Sequence, residues 1–374
     1  MRTHRPLLAL SGLTLLSASG CGMGLPNPEL VVFTRPLAMR VEVIESVIVD
    51  PPNAQPRAQA LPFDRVSLQP FLGGVNGPVD PASLDAVYLA CPRTSSQGTF
   101  GCYDEQIPLR LDELPACDTP SLTGFDFENI PPPQGPCLVD RGVSVAEYVV
   151  PFDTNLLSGG NPEILMIAGV EGGPDTDACA ERLLVDRSVD DERCIFQTQS
   201  VTVGPFEQLA VLAEDLGVEL PFDVPEDPSE IPDFDRHPRI TRFAYAPIDE
   251  RLGDPTGDFT DIPLGATIQI DPDARIRIET SSPEEDLQTF PIVTGDNSLQ
   301  LDDELYFGSW LRTWGSTLSG TSDNPDSFNE YALTPTSDDE EDVPPNGRST
   351  VYYVLQDSRA GVNWWWFQVE ATAP

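Results

Sequence analysis

Carboxylates are the side chains of this sequence most able to do chemistry. There are 61 Asp and Glu residues against 21 Arg, a formal net charge of -40 over 374 residues. Clustered carboxylates are typical calcium ligands, and the segment DPTGDFTD offers Asp254, Asp258 and Asp261, with the run DDE at 302–304 as a second cluster. Neither follows the DxDxDG loop with its distant Glu. A calcium site at these three aspartates is therefore an alternative to the solvated acidic surface that charge runs usually form.

Lysine and histidine, the nitrogen side chains that act as nucleophiles or general bases, are nearly missing. Every basic residue other than histidine is Arg, none is Lys, and histidine occurs only at His4 and His237. Without lysine, phosphate-loop and Schiff-base chemistry are excluded, and the GxSxG and HExxH hydrolase motifs do not occur. Carboxylate pairs of the glycosidase type arise by chance in so acidic a chain. We expect no enzyme and no cofactor, with calcium as the one alternative.

The charge also restricts the partners of the protein. Nucleic-acid binding requires a basic surface, so we expect no nucleic-acid partner. The same repulsion counts against peripheral docking on anionic lipid head groups.

The amino terminus has the three-part layout of a secretory signal. Residues 1–5 are cationic, residues 6–16 form an apolar run of eleven residues, and residues 17–20 are small. At a helical rise of about 1.5 Å per residue, the apolar run reaches only about half of a bilayer core. We therefore predict a cleaved signal peptide at 1–20.

Cys21 follows directly, and Ala18-Ser19-Gly20-Cys21 resembles the lipobox of bacterial lipoproteins. The resemblance implies that Cys21 is lipidated, that residues 21–36 form a tether, and that the protein is anchored in a membrane. Gly22 in place of Asp favours the outer membrane where enterobacterial sorting applies. An ordinary signal followed by a chance cysteine is the alternative. Whether the protein faces the periplasm or the outside is left open.

Six further cysteines lie between residues 91 and 194. An even number in an exported protein indicates disulfides, and no CxxC or nearby His supports a zinc site. Pairing of sequence neighbours would close loops of modest length, but about fifteen connectivities are possible for six cysteines. The candidates are Cys91, Cys102, Cys117, Cys137, Cys179 and Cys194.

Short β-branched runs bounded by Pro, Gly and Asp recur along the chain without alternating helices. This pattern predicts an all-β protein of two immunoglobulin-like antiparallel β-sandwich domains. The first domain spans 37–220, with a Cys-rich insertion at about 92–140 and a short closing helix at 206–216. A Pro/Asp-rich linker follows at 221–238, and the second domain spans 239–374.

The last segment carries a second resemblance. The hairpin STVYYVLQDSRAGVNWWWFQVEA, with an earlier strand containing Trp310, is similar to the final hairpin of immunoglobulin-like and polycystic-kidney-disease-type domains. The inter-sheet disulfide of immunoglobulin domains is missing. The resemblance implies a fold and not a function.

Three consecutive tryptophans occupy the last strand. Because side chains alternate along a strand, Trp365 points to one face while Trp364 and Trp366 share the other. These two rings could form a platform for sugar rings or a partner's apolar surface. Burial of both rings against another part of the chain is the alternative.

Together these features predict a lipid-anchored cell-envelope protein with a structural or adhesive role. Its expected partners are the membrane, through the anchor, and an envelope protein or polysaccharide. Two alternatives remain. One is a carbohydrate- or peptidoglycan-binding module that uses Trp364 and Trp366, and the other is calcium-dependent adhesion.

Overall fold

The computed structural model describes residues 28–52, 54–93, 100–106, 108–157, 160–188, 193–205, 207–208, 211, 233–293, 299–322, 326–334 and 347–372. Within these ranges β-strands dominate, and the helices are few and short. The all-β prediction is confirmed. None of the described helices combines the length and the apolar character needed to cross a membrane.

The first unit, residues 35–203, is a sandwich of two sheets. One sheet has the order β1-β2-β3 with β6 also on β2, and the other has the order β5-β4-β7-β8, all antiparallel. The strands are β1 Arg35–Glu45, β2 Arg65–Gly74, β3 Gly77–Val79, β4 Ala86–Arg93, β5 Cys137–Val143, β6 Ala146–Val149, β7 Asn161–Gly169 and β8 Cys194–Ser200.

The core of this unit follows from alternation along its strands. Met39 and Val41 of β1 face Tyr88 of β4 and Met166 of β7 across the sandwich. The intervening residues of β4 and β7, such as Leu165, are also buried, against a second cluster on the outer face. The sequences of these two strands are continuous apolar runs because both of their faces are covered.

The outer face is covered by short helices and loops of the Cys-rich part of the chain. These helices are α1 Gly101–Gln106 and α3 Thr176–Leu184, while α2 Thr154–Leu157 contributes Leu156 to the core between the sheets. The Tyr103 hydroxyl donates to the Leu89 and Glu163 carbonyls at 3.0 and 2.7 Å. The Asp175 side chain caps α3 by accepting from the Ala178 backbone N–H at 2.8 Å.

Three disulfides staple this region. They are Cys91–Cys102, Cys117–Cys137 and Cys179–Cys194, the pairing of sequence neighbours. The first bond ties β4 to α1, and the third ties α3 to β8. The prediction of disulfides is confirmed.

The second unit, residues 240–371, is a further sandwich with a hairpin at one side. Its sheets have the orders β10-β9-β12-β18-β16 and β11-β20-β19-β15-β17, and β13 pairs with β14. The strands are β9 Arg242–Ile248, β10 Thr260–Asp261, β11 Thr267–Ile270, β12 Arg275–Ser281, β13 Thr289–Val293, β14 Leu299–Asp303, β15 Tyr306–Arg312, β16 Ser316–Thr317, β17 Thr321–Ser322, β18 Asp326–Ala332, β19 Arg348–Asp357 and β20 Val362–Ala371.

The predicted carboxy-terminal hairpin is present as β19 and β20, which pair antiparallel from Arg348↔Glu370 to Gln356↔Val362. One pairing departs from the antiparallel pattern, since β11 runs parallel to β20. Between the two sheets the core contains Phe243, Trp310, Tyr353 and Phe367.

The two units are joined by a buried apolar contact, here called the inter-unit cluster. It combines residues of β1 and β2 with residues of β15, β19 and β20. Its members are Val31, Leu37, Ala38, Phe71, Leu311, Tyr352, Val354, Val362, Trp364 and Trp366. The outer face of one sandwich therefore packs directly on a sheet of the other.

Two predicted connecting segments are partly described. Of the tether, Glu29 and Val31 pack on the second unit: the Arg312 guanidinium donates to Glu29 at 2.6 Å, and Val31 is fully buried. Of the linker, residues 233–238 are described, and most of them are buried against both units. Most of the predicted closing helix at 206–216 lies outside the described residues, as do the signal peptide and Cys21.

Candidate metal centre

Three buried carboxylates meet where the two units join. They belong to Asp235, Glu304 and Asp357, called here the carboxylate triad, and they are 1%, 4% and 6% exposed. One oxygen of each lies within 4.8 Å of one oxygen of each of the others. Two oxygens bound to one calcium ion at about 2.4 Å are separated by at most about 4.8 Å, so the three carboxylates are close enough to share one ion.

Asp235 is fixed by the first unit. Its backbone carbonyl accepts from the Ala58 and Gln59 N–H groups at 3.0 and 3.3 Å, and its own N–H donates to Gln59 Oε1 at 3.1 Å. Beside it, the Arg57 guanidinium lies 4.2 Å from the Phe234 ring centroid. The end of the predicted linker is therefore held along residues 57–59.

Glu304 stands in the short connection between β14 and β15. Its N–H donates to the Gln288 carbonyl at 2.9 Å, and its Oε2 accepts from the Gln288 N–H at 3.1 Å. No N–H or hydroxyl among the described residues donates to its Oε1 or to Asp235 Oδ2, and the two carboxyl groups can hydrogen-bond to each other only when one of them carries a proton. When both are ionised, two buried carboxylate oxygens of the triad have no donor.

Asp357 ends β19 and organises the turn to β20. Its Oδ1 accepts from the Arg359 and Gly361 N–H groups at 2.9 and 2.7 Å. Its Oδ2 lies against the Gly361 Cα, where any Cβ would collide with it. Glycine at 361 is therefore required for the carboxylate to take this position.

Arg359 is the cation of the site. Its guanidinium donates to Gln288 Oε1 at 2.8 Å and to Gln59 Oε1 at 2.6 Å. It also lies 5.0 Å from the Phe290 ring centroid. No ion pair joins an arginine to the triad within the described part of the chain. One guanidinium therefore stands near three carboxylates without neutralising them by direct contact.

Burial shapes the titration of these acids. Desolvation, and then repulsion by Asp357, raises the pKa of Asp235 to about 9, while Arg359 opposes the shift. Desolvation, followed by repulsion from Glu304, raises the pKa of Asp357 to about 7, and desolvation also raises the pKa of Glu304. Three ionised carboxylates cannot share this space unless protons or a cation offset their charge.

The donor set of the triad consists of oxygen atoms alone. The nearby His237 uses Nδ1 to accept from the Val362 N–H at 3.1 Å, and desolvation lowers its pKa to about 3. Carboxylate-only sites suit calcium, magnesium or manganese and not zinc. The arrangement can therefore hold a hard divalent cation, or protons in its place.

The aspartates singled out in the sequence lie elsewhere. Asp254, Asp258 and Asp261 are exposed, and Asp261 pairs with Arg242 at 3.3 Å. They do not form a group able to share one ion; among the described residues the carboxylate triad is that group.

Glu304 belongs to the DDE cluster noted above, whereas Asp235 stands in the predicted linker and Asp357 in the predicted hairpin turn. No spacing rule links three such distant segments. The one sequence feature that could have pointed to these residues is the position of each acid within an otherwise apolar or turn-forming stretch.

The tryptophans alternate as predicted. Trp365 packs toward the second core, with its ring stacked 5.8 Å from that of Phe243. Trp364 and Trp366 share the opposite face and pack on the inter-unit cluster. The Trp364 ring stacks on Phe71, with centroids 4.7 Å apart and planes 3° apart. One face of the suggested platform is thus covered by the first unit, as the burial alternative describes.

Comparisons with known proteins assign no family to this chain. No family model matches it, and no curated protein matches it. Among solved structures, dimeric latent PorU from Porphyromonas gingivalis is similar with a TM-score of 0.19 and 13% identity. The match covers 91% of this chain and 24% of that one, so the chain spans about a quarter of its length. At this TM-score the similarity says nothing about function.

Proposed function

We propose that this chain is an exported, lipid-anchored envelope protein with a structural or adhesive role and no catalytic activity. The observation that carries the proposal is the inter-unit cluster, because it turns two β-sandwiches into one stiff body. A stiff, disulfide-stapled body is suited to hold a surface at a fixed distance from a membrane.

The disulfides support export. Disulfides persist in oxidising compartments such as the periplasm or the cell surface, and three are formed here. The predicted signal at 1–20 agrees with this compartment. The lipid anchor rests on Cys21 and its resemblance to a lipobox.

The burial of the carboxylate triad supports a role without catalysis. A hydrolase must bring its acids to a substrate, and pairs of glycosidase carboxylates flank an open cleft. These three acids are at most 6% exposed and are enclosed between two units. They are better suited to hold structure than to meet a substrate.

Metabolic labelling tests the anchor. Cells that express the full chain are given a labelled fatty acid, beside the Cys21→Ser variant and the matched Ser19→Ala variant, which keeps the cysteine. We expect label and membrane fractionation for the parent and for Ser19→Ala, and loss of both for Cys21→Ser. Label that survives Cys21→Ser, or an unlabelled parent, would contradict lipidation at this residue.

Pull-downs test the role itself. The full chain carrying Cys21→Ser is offered to peptidoglycan and envelope polysaccharides, and the parent chain is cross-linked in intact cells to capture its protein neighbours. We expect a defined protein neighbour and no retention by glycans, because Trp364 stacks on Phe71. Retention by glycans that is lost in a folded Trp364→Ala/Trp366→Ala variant would instead establish the glycan-binding alternative.

A further inference from the structure

Two acids of the carboxylate triad lack some of the donors that buried acids ordinarily have. Burying an ionised carboxylate is costly unless donors or cations surround it. Asp235 Oδ2 and Glu304 Oε1 accept from no N–H or hydroxyl among the described residues, and no described arginine forms an ion pair with the triad. Unless Asp235 and Glu304 share a proton in a side-chain hydrogen bond, the protein leaves oxygen atoms of two buried acids unsatisfied.

A further polar group outside the acids points the same way. The Tyr306 hydroxyl is also without a hydrogen-bond partner among the described residues, and the side chain is 2% exposed. Tyr306 of β15 pairs directly with Asp357 of β19, and side chains of directly paired residues project from the same face of a sheet. A buried hydroxyl without a partner next to a triad carboxylate fits a ligand held between them.

We propose that one calcium ion binds between Asp235, Glu304 and Asp357 and ties the two units of this protein together. The three ligands come from the segment that connects the two units, from the β14–β15 connection and from the end of β19. Their ligand oxygens lie within 4.8 Å of one another, close enough to share one ion at calcium–oxygen distances of about 2.4 Å.

Calcium fits this set better than its competitors. Magnesium demands nearly ideal octahedral geometry and keeps several waters, whereas calcium accepts irregular oxygen cages. The site is enclosed, its ligands come from three distant segments, and no sulfur or imidazole of the described residues joins them. An ion that tolerates irregular geometry suits ligands placed by three separate elements.

The ion would act on the inter-unit geometry. Asp235 is hydrogen-bonded to residues 58 and 59 of the first unit, while Glu304 and Asp357 belong to the second. A shared cation therefore joins the two units at a point separate from the apolar inter-unit cluster. This inference does not depend on lipidation or on any partner, so it can fail while the proposed function stands.

Calcium titration tests the proposal on the full chain carrying Cys21→Ala. Calorimetry and thermal melting are run with calcium, magnesium or EDTA. The buffer contains about 150 mM salt, because salt screens weak cation binding to the acidic surface. The test variant is Asp235→Asn/Glu304→Gln, and the control is Asp254→Asn/Asp258→Asn/Asp261→Asn, which removes exposed acids of the same kind. Hydrogen exchange of the parent, with and without calcium, locates the ion without any variant.

We expect one calcium per chain, a Tm that rises with calcium and falls with EDTA, and slower exchange over 233–238, 300–306 and 355–361. The test variant should lose about tenfold or more in affinity, since even outer-shell changes cost metal sites about that much. The control should bind like the parent. No calcium binding by the parent, preference for magnesium, undiminished binding by the test variant, loss in the control, or exchange protection elsewhere would each overturn the proposal.

Discussion

Trp364 of the last strand lies flat on Phe71 of the other unit, with ring centroids 4.7 Å apart and planes 3° apart. Near this stack the Tyr352 hydroxyl donates to the Gly74 carbonyl at 2.7 Å and accepts from the Gly74 N–H at 3.2 Å. Aromatic contact and hydrogen bonds therefore act together at one interface. The two sandwiches should unfold as one cooperative body.

Truncating the stacked rings tests this coupling. Phe71→Ala should lower the free energy of unfolding by about 3 kcal/mol, since a buried Phe→Ala change costs about 3–5 kcal/mol. With Trp364→Ala and the double variant, a cycle should give about 1 kcal/mol of coupling for the stacked pair. Urea unfolding at neutral pH measures both quantities.

Val49→Ala is the matched control, because Val49 is 94% exposed and its truncation should change stability by less than about 0.5 kcal/mol. Strict additivity of the two ring truncations would mean that the stack contributes no specific energy. Two separate transitions in the parent would refute the single cooperative body.

The Tyr352 hydroxyl offers a smaller and cleaner change. Tyr352→Phe removes both hydrogen bonds to Gly74 and leaves the buried Gly74 carbonyl and N–H without this partner, so the loss should be about 1–3 kcal/mol. Tyr245→Phe is the control, since the Tyr245 hydroxyl makes no hydrogen bond within the described ranges. Urea unfolding that gives equal stabilities for the two variants would contradict this assignment.

The strands could be predicted from local pattern, and the site could not. The β19–β20 hairpin follows from alternating apolar residues around a compact turn, which is information contained in one segment. The carboxylate triad depends on how three distant segments pack, so no local spacing announces it. Asp235 shows the difference, because its Pro-rich neighbourhood predicted a linker while its neighbours are buried against both units. The covering of Trp364 is likewise a property of tertiary packing.

The disulfides could be predicted only in part from the sequence. The residue count predicted bonding, but spacing alone left about fifteen connectivities, and only the fold selects neighbours. Replacing Cys179 and Cys194 together by Ala should cost about 3 kcal/mol, the typical effect for a loop of about 15 residues. Denaturant unfolding of this variant and of Cys117→Ala/Cys137→Ala should give losses of similar size.

Thiol labelling is the check on that result. In the full chain carrying Cys21→Ala, no thiol should react with an alkylating reagent under denaturing, non-reducing conditions. The single variant Cys179→Ala should expose one thiol, at Cys194. A different labelled cysteine, or a reactive thiol in the parent, would show that the connectivity is wrong.

Glu163 gives the protein a pH dependence that can be isolated. The side chain is 1% exposed in β7, its Oε1 accepts from the Phe100 N–H at 2.8 Å, and its Oε2 has no partner among the described residues. Burial raises its pKa, against the opposing effects of the Phe100 N–H and Arg93. The folded protein therefore holds this proton more tightly than the unfolded chain does.

The sign follows from linkage. Below the unfolded pKa both states carry the proton, and the full stability is present. As pH rises from there toward the raised folded pKa, the unfolded chain releases the proton first and stability is lost.

Glu163→Gln cannot titrate and keeps an oxygen for the Phe100 N–H. Subtracting the variant's unfolding free energy from that of the parent should thus give a difference that falls as pH rises above the ordinary glutamate pKa of about 4.3 and levels off once the raised folded pKa is passed. Glu113→Gln, an exposed control, should give a flat difference in the same urea series. A Glu163 difference that stays flat, or rises with pH, would mean that burial does not disfavour the charge at this position.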